Sequence, residues 1–222
     1  MSEQATEVAY LSIVPGTDLS TGDNKDIWEA TLGTITSQPG CKSLFWGRQV
    51  EHPDVVQLVI DWESFESHKQ FMASTDYKPF LERVKPLLTG PPKLFHVKLP
   101  PQMPFSQPGS APATECLSIY FEPDHSTSEY DDNFAKFIEA VGKVPNETQG
   151  LTGGWGIEEQ KHEKLGKEGE EGPAKLFGAF IGWPSVESHM KFREHEKFPE
   201  VVKYLRDGAK AIAVHHVHFR KF

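Results

Sequence analysis

DWESFESHKQF, residues 61–71, and GWPSVESHMKF, residues 182–192, set Trp, Ser, Glu, His and Phe at identical spacing, so the chain carries one unit twice. Trp62 maps to Trp183, Ser64 to Ser185, His68 to His189 and Phe71 to Phe192, all at an offset of 121 residues. Downstream, KLFHVKL (93–99) aligns with AVHHVHF (213–219) through a shared His-Val pair. Upstream, Trp46-Gly47 aligns with Trp155-Gly156 at a smaller offset, because the charged stretch KHEKLGKEGEEGPA (161–174) is inserted in the second copy. The Gly and Glu content of that stretch fits a mobile hairpin loop.

Both copies read in one order. VAYLSIVP is a β-branched strand, and DNKDIWEATLGTITS is a capped helix with apolar residues near helical spacing. KSLFWGRQV and DVVQLVIDW are strands joined by a short polar turn, a helix starts at about Ser64, and KLFHVKL closes the unit. The second copy repeats this with CLSIYFEP, NFAKFIEAVGKV, LTGGWGIEE, KLFGAFIGW, a helix after Ser185 and AVHHVHF. The expected fold is α+β: two tandem ferredoxin-like βαββαβ units, each an antiparallel sheet with both helices on one face. Each would leave a sheet face uncovered, so the two are expected to pair sheet to sheet into an α+β barrel. The expected boundaries are 1–98 for the first unit, 99–114 for a linker and 115–222 for the second unit. The linker, LPPQMPFSQPGSAPAT, holds five prolines and reads as exposed.

Composition narrows the function classes. Of 222 residues 37% are hydrophobic, with 15 Phe and 5 Trp, as in a folded protein. No apolar run approaches the roughly 20 residues that span a bilayer, and the first residues lack a signal-peptide pattern, so a cytoplasmic location without membrane partners is expected. A net charge of −9 disfavours nucleic acid. Cys41 and Cys116 have no metal-ligand spacing and read as reduced thiols.

The strand ending in Trp, followed by Ser, an acidic residue and an aromatic-bearing helix, DWESFESHKQFMASTDYKPF, resembles the dimeric α+β barrel superfamily, in particular its antibiotic biosynthesis monooxygenase-like branch. The resemblance covers nearly the whole chain as two fused copies. It implies a small-molecule enzyme similar to cofactor-independent monooxygenases of aromatic or polyketide-like substrates, needing no cofactor, with the fused pair making a monomer. Polyketide cyclase or isomerase chemistry and a non-catalytic binding or stress-response role are the alternatives the same superfamily implies. Its haem-degrading branch carries a histidine where this chain has Leu81 and Val202, which speaks against haem ligation.

His68 and His189 lie on the apolar side of their helices. They are the candidate general bases, since imidazole titrates near neutral pH; the competing reading is a histidine that merely ties the helix down. Trp46 and Tyr77 in the first unit, and Tyr120, Trp155 and His195 in the second, are the candidate substrate-binding residues. Trp62 and Trp183 read as core plugs. The second unit is the expected catalytic one, having Tyr120, Trp155 and the C-terminal histidines nearby. His216 and His218 form an HxH pair on one strand face, but lack an evident third ligand, so no metal is expected.

Overall fold

The computed structural model describes residues 4–222, which divide into two compact units, 4–98 with 217–222, and Leu99–His216. In the first, β1 (Ala5–Ser12) leads into α1 (Gly22–Thr36), β2 (Cys41–Arg48), β3 (Val55–Trp62), α2 (Phe65–Ala73), α3 (Tyr77–Val84) and β4 (Lys93–Val97). The antiparallel sheet runs β2-β3-β1-β4, the ferredoxin-like order, with β10 (Arg220–Lys221) added beside β2. The second unit repeats it: β5 (Ala113–Phe121), α4 (Thr127–Gly142), β6 (Leu151–Trp155), β7 (Gln160–His162), β8 (Gly172–Trp183), α5 (Val186–Glu194), α6 (Phe198–Arg206) and β9 (Ala211–Val217). Its sheet order, β6-β8-β5-β9, is the equivalent one. The α+β class and the tandem ferredoxin-like units are as the sequence implies.

The repeated motif encodes a strand end, a cap and a helix start. Ser64 accepts the backbone N–H of Ser67 on its hydroxyl at 3.1 Å, and Ser185 accepts that of Ser188 at 3.2 Å, so each serine satisfies an orphan donor of its helix. Gly40, at φ +84°, takes a left-handed turn that few other residues adopt, and a Cβ there would meet the Ser67 side chain. The single helix expected after each cap is instead two. Pro79 and Pro199 fall in the first turns of α3 and α6, where a missing N–H is harmless, but neither residue could continue the preceding helix.

Each unit has its own core between sheet and helices: Trp28, Leu32, Leu44, Ile60 and Trp62 in the first, and Ile119, Phe121, Tyr130, Phe177 and Trp183 in the second. Gly153 lets Phe134 and Phe177 close over β6; a Cβ would stand 2.7 Å from both rings.

Two expectations about irregular segments change. Residues 99–114 are packed rather than exposed: Phe105 is fully buried edge-on to Phe180, the Thr152 hydroxyl donates to the Met103 carbonyl, and β5 already begins at Ala113. The cause is that Phe105 covers the β8 face that carries Phe180, the face opposite the helices. The insertion at 161–174 is a hairpin arm, because β7 pairs with the first residues of β8. Among the described residues no helix is long and apolar enough to cross a membrane.

Candidate functional site

The two motif histidines belong to matching constellations. In the first unit His68 Nδ1 lies 2.8 Å from His96 Nε2, and its Nε2 lies 3.5 Å from Glu7 Oε2. Glu7 also accepts the Trp62 indole N–H at 2.8 Å, and the Trp62 ring stacks on His68 at 5.1 Å. In the second, His189 Nδ1 is 2.7 Å from His216 Nε2 and its Nε2 3.4 Å from Glu115 Oε2, while Trp183 donates to Glu115 at 3.1 Å and stacks on His189 at 5.0 Å. Register builds the cluster. Glu7 on β1 faces His96 on β4 directly across the ladder, both on the helix-covered side, and α2 lowers His68 between them.

Glu7, His68 and His96 are all buried, yet Glu7 and His68 border a cavity of about 610 Å³. Leu58, Ile60, Phe71 and Phe80 form apolar walls, and Tyr77 supplies a phenol. Tyr77 stands edge-on to Phe71 at 5.2 Å, and burial, with Glu7 nearby, raises its pKa, so it stays a hydrogen-bond donor. The second cavity is about 300 Å³ and is bordered by Glu115, Trp183 and His189; Phe198 stands edge-on to Phe192 at 5.7 Å, where the first unit has its phenol. The phenol therefore distinguishes the first site from the second. The donor atoms of Glu7, His68 and His96 lie within 4.8 Å of one another, close enough for a metal ion. As they stand, His68 turns one nitrogen to each partner, the geometry of a proton relay. Cys41 is pushed up to about 11 by burial and the carboxylates of Glu7 and Asp61, so it is a thiol at neutral pH and no nucleophile.

The structure joins His68 with Tyr77 and places His189 at the second cavity, but separates Trp46, Tyr120, Trp155 and His195 from both. Trp46 is buried against Trp28, with the Arg220 guanidinium 3.7 Å over its ring. Tyr120 is an odd number of residues from Glu115 along β5, so it projects to the opposite face and meets His162. Trp155 is at the far end of the sheet among Phe121, Tyr130 and Phe177, donating to Asp131. His195 accepts the Lys197 N–H at the α5 C-terminus. Of the features that favoured the second unit, Tyr120 and Trp155 stand apart from its histidine, and only His216 of the C-terminal cluster meets it. His216 is buried as the partner of His189, whereas His218 is exposed and belongs to the first unit, so the HxH pair does not act together.

Sequence reading missed the two carboxylates. Their signal is a Thr-Glu dipeptide opening the first strand of each copy, Thr6-Glu7 and Thr114-Glu115, an acid on the apolar face of a strand that should be hydrophobic. Burial pushes Glu115 up to about 7 against the opposing pull of the Trp183 N–H and Arg193. Between its ordinary value near 4.5 and about 7 the folded state holds more protons at this site than the unfolded chain. Its contribution to stability is therefore fully present at the acid end of that window and is lost as pH rises through 7. Thermal melts of wild type and Glu115→Gln should converge near pH 4.5 and separate up to about pH 7 with the variant gaining; parallel curves would contradict the assignment.

Residues 22–83 match the family model described as antibiotic biosynthesis monooxygenase, a span that includes Trp62, His68 and Tyr77 but neither Glu7 nor His96. No curated protein matches. Among solved structures, an anthrone oxidase-like protein is 15% identical with a TM-score of 0.65, over 99% of this chain and 94% of that one. A monooxygenase-named protein of Lactobacillus acidophilus NCFM is 10% identical, TM-score 0.61, over 98% and 94% of the two chains. Another, from Fusobacterium nucleatum subsp. nucleatum, is 11% identical with a TM-score of 0.57, over 99% and 94%. At these identities the likeness is one of fold, and it extends over both units. The antibiotic biosynthesis monooxygenase family model is thus matched within the first unit, at residues 22–83, and the second unit repeats the same ferredoxin-like strand order.

Proposed function

We propose that the first unit is the catalytic one and oxygenates a phenolic or anthrone-like aromatic compound without a cofactor. The observation that carries this reading is the Glu7–His68–His96 relay opening on an apolar cavity that also holds the Tyr77 phenol. A buried relay with no space beside it would be structural; one beside about 610 Å³ of space can receive a substrate. The anthrone oxidase-like neighbour points to the same substrate class.

In the basic form His68 donates its Nδ1–H to His96 and presents the Nε2 lone pair beside Glu7. It takes a proton from the acidic CH₂ or hydroxyl of the substrate, and Glu7 stabilises the imidazolium. Tyr77 donates to the oxygen on which the anion's charge collects. The substrate anion reduces O₂ itself and forms a peroxide anion, which takes the proton back from His68 to give a hydroperoxide that loses water. In sum a CH₂ and O₂ give C=O and H₂O. The dry apolar walls protect the anion from competing protonation.

Oxygen uptake with 1,8-dihydroxyanthrone tests this. The expected result is one O₂ consumed per quinone formed, unchanged by dialysis against EDTA. Product formed equally well under argon would favour cyclase or isomerase chemistry, and loss of activity on chelation would favour a metal at Glu7, His68 and His96. We place the protein in the cytosol, where its free cysteines would remain reduced, and expect a monomer; light scattering would return the single-chain mass of 25.0 kDa.

A further inference from the structure

We propose that the cavity of the second unit is a separate binding site for a small aromatic carboxylate, held by Arg193 and Arg206. Both arginines border this cavity, Arg193 near the end of α5 and Arg206 as the last residue of α6. Among the described residues neither is in an ion pair with a carboxylate, so both guanidinium groups can turn to a ligand. Phe137, Trp183, Phe192 and Phe198 give the walls aromatic faces for a ring, and the volume, half that of the first cavity, limits the ligand to a small one.

The first unit shows what is particular to the second. At the motif offset of 121 residues, Arg193 stands where the first copy has Met72 and Arg206 where it has Lys85. Lys85 borders the first cavity together with Glu82, whose charge offsets it, whereas the second cavity has two cations at its rim and only the buried Glu115 within. Burial pushes the Glu115 pKa up to about 7, so below that pH it is mostly protonated and offsets the arginines little, although Arg193 pulls against this. Guanidinium matches a carboxylate with paired, parallel donors, whereas a single lysine would favour the acid only as a point charge. The duplicated units would thus be divided between a larger site for a neutral aromatic and a smaller one for an aromatic acid.

Calorimetric titration with 2-naphthoate and its neutral isostere 2-naphthamide reads this directly, without turnover and independently of the chemistry assigned to the first unit. The acid should bind about tenfold tighter than the amide or better, and Arg193→Gln and Arg206→Gln should each weaken the acid by about tenfold while leaving the amide unchanged. Lys85→Gln should leave both unchanged. These exposed substitutions should preserve the fold, which circular dichroism would check. No heat with 2-naphthoate, equal binding of acid and amide, or a loss in Lys85→Gln rather than in the arginine variants would overturn the proposal.

Discussion

Replacing His68 with alanine should lower kcat for 1,8-dihydroxyanthrone about a thousandfold, the usual contribution of a positioned general base. His68 is the imidazole that meets the larger cavity, has Glu7 3.5 Å away to balance its charge and has Tyr77 on the same wall. KM should change little, because the apolar walls that bind the ring remain. His189→Ala should leave kcat near that of wild type, since its cavity has Phe198 in place of the phenol. The pair of variants separates catalysis from a shared structural role. Both remove a stack on tryptophan and a buried partner of a carboxylate, so both should lose comparable stability, and the catalytic reading requires only the first to lose turnover. Equal, small effects on turnover would return both histidines to a structural role.

The second large effect falls on stability. Trp62 is fully buried, stacks on both His68 and Phe71, and donates its indole N–H to Glu7. Trp62→Ala should cost about 3–5 kcal/mol through cavity formation alone. Trp62→Phe keeps most of the apolar volume but deprives a buried carboxylate of a donor, which should cost about 1–3 kcal/mol. Urea unfolding followed by circular dichroism would measure both. A Phe variant as stable as wild type would show that Glu7 does not depend on the indole.

The fold was legible because the features that define it are local and occur twice. A strand that ends in Trp, a Ser cap and an aromatic helix face are each readable within a few residues, and repetition at one offset excluded coincidence. The helix break was legible in principle from Pro79 and Pro199, but the apolar spacing across the break concealed it. His68 and Tyr77 were found because both follow the motif. Glu7 was not joined to them, since its meeting with His96 and His68 depends on the pairing of β1 with β4, two strands 89 residues apart at that point, which no local pattern reports. Tyr120 was misplaced by strand parity and Trp155 by distance along the sheet: both are near the motif in the fold's plan and still outside the cavity. Phe105 was taken for part of a linker because five surrounding prolines outweighed one aromatic residue, although a lone Phe in such a run is the group that burial would select.

Deprotonation of the substrate by His68 is the central step, and it can be observed apart from oxygen chemistry. Under argon, 1,8-dihydroxyanthrone bound to the protein at pH 7 should show the long-wavelength absorbance of its anion, with one equivalent formed per chain. His189→Ala should retain the band and His68→Ala should lose it while still binding the neutral compound. A band of equal intensity in His68→Ala, or a bound compound that stays neutral in wild type, would contradict the account.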